Sequence, residues 1–275
     1  MKILITGGNG NIAKMIKNYF SLDHNINSPS REELNILNLN ELSNFLMYKE
    51  FDILIHTAIS GGRRTKEDND DTIYNNLLMM ENILHFSNKF KMIINFDSGA
   101  IYDRSTNIMT RKEQELFTIP TDYYGFSKYV IYKRSQQYSN IFNLRIFNIF
   151  HINEEPTRFI KSCFLANKNN SILKIFQDKY FDFVYEDDFI NIIKYYIDNN
   201  DNQNILEKTI NICYDKKYKL SDIAKMILQD KSKIIILNNE LTNNYSGDNT
   251  LLQKMNIVLQ GFEKGLEKYN QKVIL

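Results

Sequence analysis

Tyr124 and Lys128 stand four residues apart, a spacing that projects both side chains from one face of a helix. An ammonium beside a phenol stabilises the phenolate and lowers a pKa that starts at about 10, so such a tyrosine can exchange a proton near neutral pH. Chance alone places about 1.6 such pairs in a chain with 17 tyrosines, and two occur. The second, Tyr129/Lys133, lies about 140° further round the helix and is expected to serve packing and surface. Ser98 follows the apolar run that ends in Asn95-Phe96-Asp97. At the C-terminal edge of a parallel sheet its hydroxyl could donate to a carbonyl as negative charge develops there. A strand-end serine is more often a turn residue, and only the company of Tyr124 and Lys128 gives this one chemical weight.

A third cluster binds instead of reacting. Three of the ten glycines fall in Thr6-Gly7-Gly8-Asn9-Gly10-Asn11-Ile12-Ala13, directly after a strand and opening a helix. Gly7 allows the sharp turn, Gly10 lets backbone approach a pyrophosphate, and Ala13 keeps helix and sheet close. The helix N-terminus then faces the anion with unpaired N–H groups. The bland alternative is an ordinary strand-to-helix turn, but the context the motif requires is present. Where NAD binders carry a carboxylate for the ribose 2′-hydroxyl, this chain reads Asn27-Ser28-Pro29-Ser30-Arg31. Two hydroxyls and a guanidinium suit a 2′-phosphate, so NADP(H) is the expected cofactor.

These groups need a scaffold that brings strand ends together. Apolar runs at Lys2–Thr6, Asn25–Ser28, Asp52–Thr57, Met92–Phe96 and Ile141–Phe147 alternate with helical stretches at Asn11–Phe20, Asn40–Lys49, Glu67–Asn88 and Asp122–Tyr138. Strands separated by helix-length segments predict an α/β fold, a Rossmann-type doubly wound parallel sheet with helices on both faces. After Asn148 the rhythm breaks. Short segments follow: helices near 158–167, 187–197 and 220–228, strands near 172–175, 181–184, 209–212 and 233–237, then closing helices. The expected organisation is a dinucleotide-binding domain over 1–150, with one or two later segments returning to it. A smaller C-terminal α/β substrate lobe over 151–275 packs over the sheet's C-terminal edge.

Composition sets outer bounds. In 275 residues, 43% are hydrophobic and 24% charged, which suits a folded core and argues against disorder. The net charge of +1 offers no field for nucleic acid or an anionic membrane. Cys163 and Cys213 cannot build a disulfide framework, and four scattered histidines offer no zinc spacing. The N-terminus reaches glycine too soon for a signal peptide, and no apolar run is long enough to span a bilayer. A cytoplasmic, soluble, metal-free protein is expected.

With its motifs in order, the chain resembles the extended short-chain dehydrogenase/reductase (NAD-dependent epimerase/dehydratase) family. The Thr6–Ala13 turn, His56-Thr57-Ala58, Asn76 and Asn82, Ser98 four before Tyr102, Tyr124-x-x-x-Lys128, Arg145-Ile146-Phe147-Asn148 and Asp182–Asp188 carry the likeness over nearly the whole chain. Arg31-Glu32-Glu33-Leu34-Asn35, Gly61-Gly62 and Ile73-Tyr74-Asn75-Asn76 are similar to nucleotide-sugar 4-keto reductases of the GDP-fucose synthase type. The resemblance implies a catalytic set of Ser98, Tyr124 and Lys128, in which the tyrosine protonates the carbonyl, the lysine holds the nicotinamide ribose and the serine orients the carbonyl. It implies a cofactor site of Gly7, Gly10, Asn11, Ile12, Ser28, Ser30, Arg31, Asn35, Ile36, Thr57, Ala58, Asn76, Tyr124, Lys128 and Phe147. For the substrate it implies Gly62, Arg63, Ser98, Gly99, Asn148 and Arg158.

Departures from the family pattern narrow the expected activity. Gly99-Ala100 stands where sugar 4,6-dehydratases carry an acidic pair, and Ala100 where an epimerising reductase carries cysteine. Phe181 replaces an arginine that commonly grips the diphosphate, leaving Lys179, Arg158 or Arg63 as candidates. The resemblance thus points to NADPH-dependent reduction of the C4 carbonyl of a nucleotide-diphosphate-linked 4-keto-6-deoxy sugar or heptose, with GDP favoured and a homodimer expected. Its rivals are a C4-epimerase with retained NAD and a non-catalytic NADP-binding scaffold.

Overall fold

In a computed structural model of the chain, residues 1–62 and 66–274 are described. The chain runs β1 (Lys2–Thr6), α1 (Asn11–Phe20), β2 (Asn25–Asn27), α2 (Leu39–Met47), β3 (Ile53–His56), α3 (Asp70–His85), β4 (Met92–Ser98), β5 (Ile108–Arg111), α4 (Tyr123–Ser135) and β6 (Ile141–Ile146). It continues through β7 (Ile149–Phe150), α5 (Phe159–Lys168), β8 (Leu173–Gln177), β9 (Val184–Tyr185), α6 (Glu186–Asp198), β10 (Thr209–Ile212), α7 (Leu220–Ile227), β11 (Ile234–Asn238), β12 (Tyr245–Gly247), α8 (Thr250–Lys254) and α9 (Phe262–Ile274). Contacts divide it into two compact units interleaved in sequence. The first holds Met1–Asp103, Leu116–Arg145 and Lys194–Ile210; the second holds Arg104–Glu115, Ile146–Ile193 and Asn211–Leu275.

Among the described residues, the main sheet has six strands in the order β10-β6-β4-β3-β1-β2. β1 runs parallel to β2 on one side and to β3 on the other, and β3 runs parallel to β4. The order reverses between β1 and β3, the switch point at whose strand ends open α/β sheets bind ligands. β3 and β4 are buried along their whole length, as strands covered on both faces must be. One face presents Leu4, Leu54, Ile93 and Ile141 to Leu42 and Leu46 of α2, Met80, Ile83 and Leu84 of α3 and Ile131 of α4. By the alternation of a strand, Ile3, Ile5, Ile53 and Ile55 face the other way. The doubly wound α/β sheet that the alternating pattern predicts is present.

The second unit has three two-stranded parallel pairings, β5 with β12, β7 with β9 and β8 with β11. Its core leans on rings: Phe150 contacts Tyr185, Phe262 and Tyr269 at centroid distances of 5.2, 5.7 and 5.9 Å. Sheets this narrow bury little on their own, so tilted and edge-on aromatic contacts carry much of the packing. No helix among the described residues is long and apolar enough to cross a membrane.

Some boundaries differ from the sequence expectation. α3 begins at Asp70 and not Glu67, because the Asn69 N–H donates to the Thr72 hydroxyl (3.3 Å) and closes a capping box. The strand expected near 181–184 shrinks to Val184–Tyr185, which pairs with Ile149–Phe150, while Phe181 makes an isolated bridge to Tyr245. β5, β7 and β12, four residues or fewer each, were not predicted. Strands this short lack the alternation that signals a strand in sequence.

Candidate active site

The site is assembled in the first unit, at the C-terminal ends of β1, β3 and β4. Gly7 takes a left-handed φ of +72°, and a Cβ there would lie 2.9 Å from Ala58 Cα. The turn thus runs directly against the chain leaving β3. Gly8, to which the sequence argument gave no role, is the most constrained of the three. Its added Cβ would stand 2.2 Å from the Ser28 carbonyl oxygen and 2.8 Å from that of Pro29, and its N–H donates to Pro29 O (2.9 Å). Gly10 differs. It is the N-cap of α1 and makes no side-chain cap, and a Cβ there would meet only Gly7 O, at 3.2 Å. The first turn of α1 carries no acidic residue, Asn11 is exposed and Ile12 half-buried. Open backbone at an uncapped helix start fits the pyrophosphate of a dinucleotide.

The ends of β1 and β3 are laced together. The Thr57 hydroxyl donates to Thr6 O (2.6 Å), and the Thr6 hydroxyl accepts from the N–H groups of Thr57 (3.2 Å) and Ala58 (3.4 Å). With both lone pairs used, the Thr6 hydrogen goes to His56 Nδ1 (2.9 Å), leaving the imidazole proton on Nε2. Burial, with the Lys128 charge in addition, pushes His56 down to about 3, so it stays neutral.

The residues after β2 divide in use. The Ser28 hydroxyl is buried with no hydrogen-bond partner, a donor open to a ligand. Ser30 is committed within the chain: its N–H donates to Glu33 (2.7 Å) and its hydroxyl hydrogen-bonds Glu32. The bond from the Ser30 N–H to Glu33 is one half of the capping box that Ser-x-x-Glu spacing favours, while the hydroxyl turns to Glu32. Arg31 is exposed and forms no ion pair among the described residues. Asn35 folds back on its own turn, accepting from the Leu37 N–H (3.3 Å), and Ile36 is core, its carbonyl accepting from Asn82 (2.8 Å). Thus Ser28 and Arg31 present free polar groups in this stretch.

Around Tyr124 the packing is close. Gly62 has a left-handed φ of +69°, and a Cβ there would lie 2.7 Å from Tyr124 Cε2. Asn76 holds the loop that carries Gly62: its side chain accepts from Ser60 N (2.7 Å), donates to Ser60 O (2.9 Å) and donates to the Ser127 hydroxyl (3.1 Å). Asn76 is therefore occupied as a clamp between the loop and α4. Arg63 lies outside the described residues.

Asp122 caps α4 by accepting from the Gly125 N–H (2.8 Å). A Cβ on Gly125 would lie 2.8 Å from the Ala100 carbonyl oxygen, so this glycine lets the first turn of α4 sit on the 3₁₀ turn Gly99–Tyr102. Ser98 opens that turn, its Oγ accepting from the Ala100 N–H (3.2 Å) while its own hydrogen stays available. A glycine inside a helix costs about 1 kcal/mol against alanine, and that cost is the sequence signal for close packing at Gly125. Lys128 Nζ donates to Phe96 O (2.6 Å) and lies 5.8 Å from the centroid of the Tyr124 ring. Burial pushes the Lys128 ammonium down to about 8, opposed by the charge of Asp97. Lys128 thus reaches the end of β4, the strand that Ser98 closes, with the Tyr124 ring beside its ammonium. Tyr129/Lys133 forms a separate contact, with Lys133 Nζ 5.4 Å from the Tyr129 centroid.

The other expected residues lie in the second unit. Phe147 packs edge-on to Tyr245, with centroids 5.1 Å apart, and leaves no room for a Cβ on Gly247. Arg158 Nη2 donates to Asn148 Oδ1 (2.5 Å), and its Nε lies 4.0 Å from Glu154. Burial pushes Glu154 up to about 7, against the nearby charges of Arg158 and Lys161. A carboxyl whose folded pKa exceeds its unfolded value binds more protons when folded, so its stability contribution is full below the unfolded value of 4.5 and fades as pH rises through about 7. Glu154→Gln is therefore expected to gain up to about 3 kcal/mol over the parent at about pH 8 and little at about pH 4. Thermal unfolding at the two pH values checks this, and an equal difference at both removes the assignment.

A doubly wound sheet with a glycine turn at its switch point places the chain among Rossmann-type proteins. It belongs to the NAD dependent epimerase/dehydratase family, whose model matches residues 3–213. No curated protein sequence matches it. Among solved structures it is similar to MlghC, a GDP-mannoheptose C4 reductase from Campylobacter jejuni with NADP bound. That pair shares 18% identity over 100% of this chain and 98% of the other, with a TM-score of 0.80. It is similar to dTDP-4-dehydrorhamnose reductase from Bacillus anthracis in complex with NADP, with 16% identity over 98% of each chain and a TM-score of 0.80. UDP-N-acetylglucosamine 4-epimerase from Bacillus cereus matches at 18% identity over 100% of this chain and 96% of the other, with a TM-score of 0.78.

Proposed function

We propose that this chain is an NADPH-dependent reductase of the C4 carbonyl of a nucleotide-diphosphate-linked 4-keto sugar, either a 6-deoxyhexose or a heptose. One observation carries the reading. A buried ammonium, bonded to the Phe96 carbonyl near the end of β4, lies by the Tyr124 ring, and the strand-end Ser98 is followed by glycine and alanine. That set can donate a proton and orient a carbonyl, and at Gly99-Ala100 it has neither the acidic pair for dehydration nor the thiol of an epimerising reductase. A bound NADPH supplies the hydride. Tyr124 delivers a proton to the C4 oxygen, Lys128 holds the phenol in its acidic range and binds the ribose, and Ser98 donates to the same oxygen. The turn from Gly7 to Ile12 holds the pyrophosphate, and Ser28 with Arg31 takes the 2′-phosphate. Two solved relatives in fold, the GDP-mannoheptose and dTDP-4-dehydrorhamnose reductases, carry NADP, which supports this reading. The first of them favours GDP as the nucleotide.

A second reading has its own observation. Glu32 and Glu33 take up Ser30, leaving two carboxylates beside the expected 2′-phosphate. Negative charge there favours NAD, and with it a C4-epimerase that keeps its cofactor. One experiment separates the two. Purified protein is denatured to identify any released nucleotide, then assayed for NADPH oxidation with freshly generated 4-keto nucleotide sugars. Turnover of NADPH with one of them is the expected result; retained NAD with no NADPH oxidation replaces the reductase by the epimerase.

A further inference from the structure

Beneath Ser98 lies a buried charge layer with no part in the chemistry described so far. Asp97, next to last in β4, receives Arg145 Nε on Oδ2 (2.8 Å) and the Ser98 N–H on Oδ1 (2.8 Å). The Arg145 and Asp97 side chains are 0% and 1% exposed. Arg145 also donates to the Tyr102 hydroxyl, and its guanidinium carbon lies 4.7 and 5.1 Å from the ring centroids of Tyr102 and Tyr132. Tyr102 closes the 3₁₀ turn that Ser98 opens, so the pair ties both ends of that turn to β6. On its other side, Lys128 Nζ is fixed to the carbonyl of Phe96, the residue before Asp97. One carboxylate therefore pairs with the buried Arg145 and stands one residue from the carbonyl that holds the buried Lys128.

A buried ion pair is a poor way to gain stability, since the cost of removing two charges from water rivals their attraction. Its placement here has a different consequence. Lys128 is desolvated and bonded to a neutral carbonyl, and the titratable groups around it are the neutral His56 from β3, Tyr124 on its own helix, and Asp97 with its partner Arg145. Among these Asp97 is the carboxylate whose charge favours the ammonium. We propose that Asp97, held by Arg145, is a positioning residue for this site: it keeps Lys128 charged and fixes the strand end that presents Ser98. The inference rests on the roles of Lys128 and Ser98 proposed above.

The test needs no substrate, so its failure is distinct from failure of the reductase reading. Lysine labelled with ¹³C at Cε is titrated by NMR in the full chain, with the Lys128 signal identified by its loss in Lys128→Met. Asp97→Asn keeps the side-chain shape and the acceptor for Ser98 N–H; it is expected to lower the Lys128 midpoint by at least about one pH unit. Arg145→Gln breaks the same ion pair but removes the opposite charge, and is expected to raise the midpoint. Asp97→Glu keeps the charge and is expected to stay close to the parent. Loss of packing alone, common to both variants, does not account for shifts of opposite sign; the charge of Asp97 acting on Lys128 does. An unmoved midpoint in Asp97→Asn, or shifts of the same sign in Asp97→Asn and Arg145→Gln, overturns the proposal. Should Asp97→Asn not fold, a midpoint in Arg145→Gln that fails to rise overturns it alone. In turnover assays, the basic limb of the pH–rate profile is expected to move in the same directions.

Discussion

Tyr124→Phe is expected to lower turnover of a 4-keto nucleotide sugar by about 10²–10⁴-fold, with little change in dinucleotide affinity. The substitution removes one oxygen and nothing else. The ring still fills the space against the Gly62 backbone, and Lys128 keeps its bond to Phe96 O, so the fold and the ribose-binding ammonium survive. What is lost is the proton donor to the C4 oxygen, an interaction that matters in the transition state more than in the bound substrate. The loss should therefore fall on kcat and on kcat/KM by similar factors, leaving KM almost unchanged. Steady-state NADPH oxidation together with a fluorescence titration of NADPH measures both quantities. Near-parental turnover in a folded variant would show that Tyr124 is not the acid.

The glycine turn gives the second large effect, through a contrast between neighbours. In Gly8→Ala the new methyl would press on the Ser28 and Pro29 carbonyl oxygens at 2.2 and 2.8 Å, and backbone atoms cannot swing aside. Overpacking of this kind costs about 1–3 kcal/mol in stability, and it displaces the turn, so dinucleotide binding falls as well. Gly10→Ala is different. Its φ of −70° and ψ of 151° suit alanine, and its Cβ meets only Gly7 O at 3.2 Å. Melting temperature is expected to stay near the parent's, while NADPH affinity drops by at least about tenfold, or about 1.4 kcal/mol, because the methyl occupies the cradle. Paired thermal-shift and binding measurements check both variants. If Gly10→Ala binds NADPH as tightly as the parent, the pyrophosphate does not lie on this turn.

Much of this molecule is written in local pattern. The alternation of apolar runs with helical stretches over the first 150 residues carries its strand and helix order, because burial on both faces demands continuous apolar strands. The glycine turn and the Tyr124/Lys128 spacing are equally local, each within a few residues of chain and each dictated by turn or helix geometry. Other features invite a local misreading. Ser30 looks like a phosphate ligand beside Arg31, yet the carboxylates two and three residues on take up its hydroxyl and its N–H. Asn76 matches a cofactor position and instead spends its hydrogen bonds on Ser60 and Ser127.

By itself the sequence determined the class of fold, the order of its elements and the residues able to do chemistry, since these depend on period and spacing along the chain. Only the tertiary structure decided which of those residues are free to act. Gly8 is constrained because the chain leaving β2 passes beside it, Gly125 because the Ala100 carbonyl lies beneath it, and Asp97 because Arg145, 48 residues away, packs against it. Such close approaches arise between elements distant in sequence, where backbone sterics and buried charge act through space and leave no periodic trace.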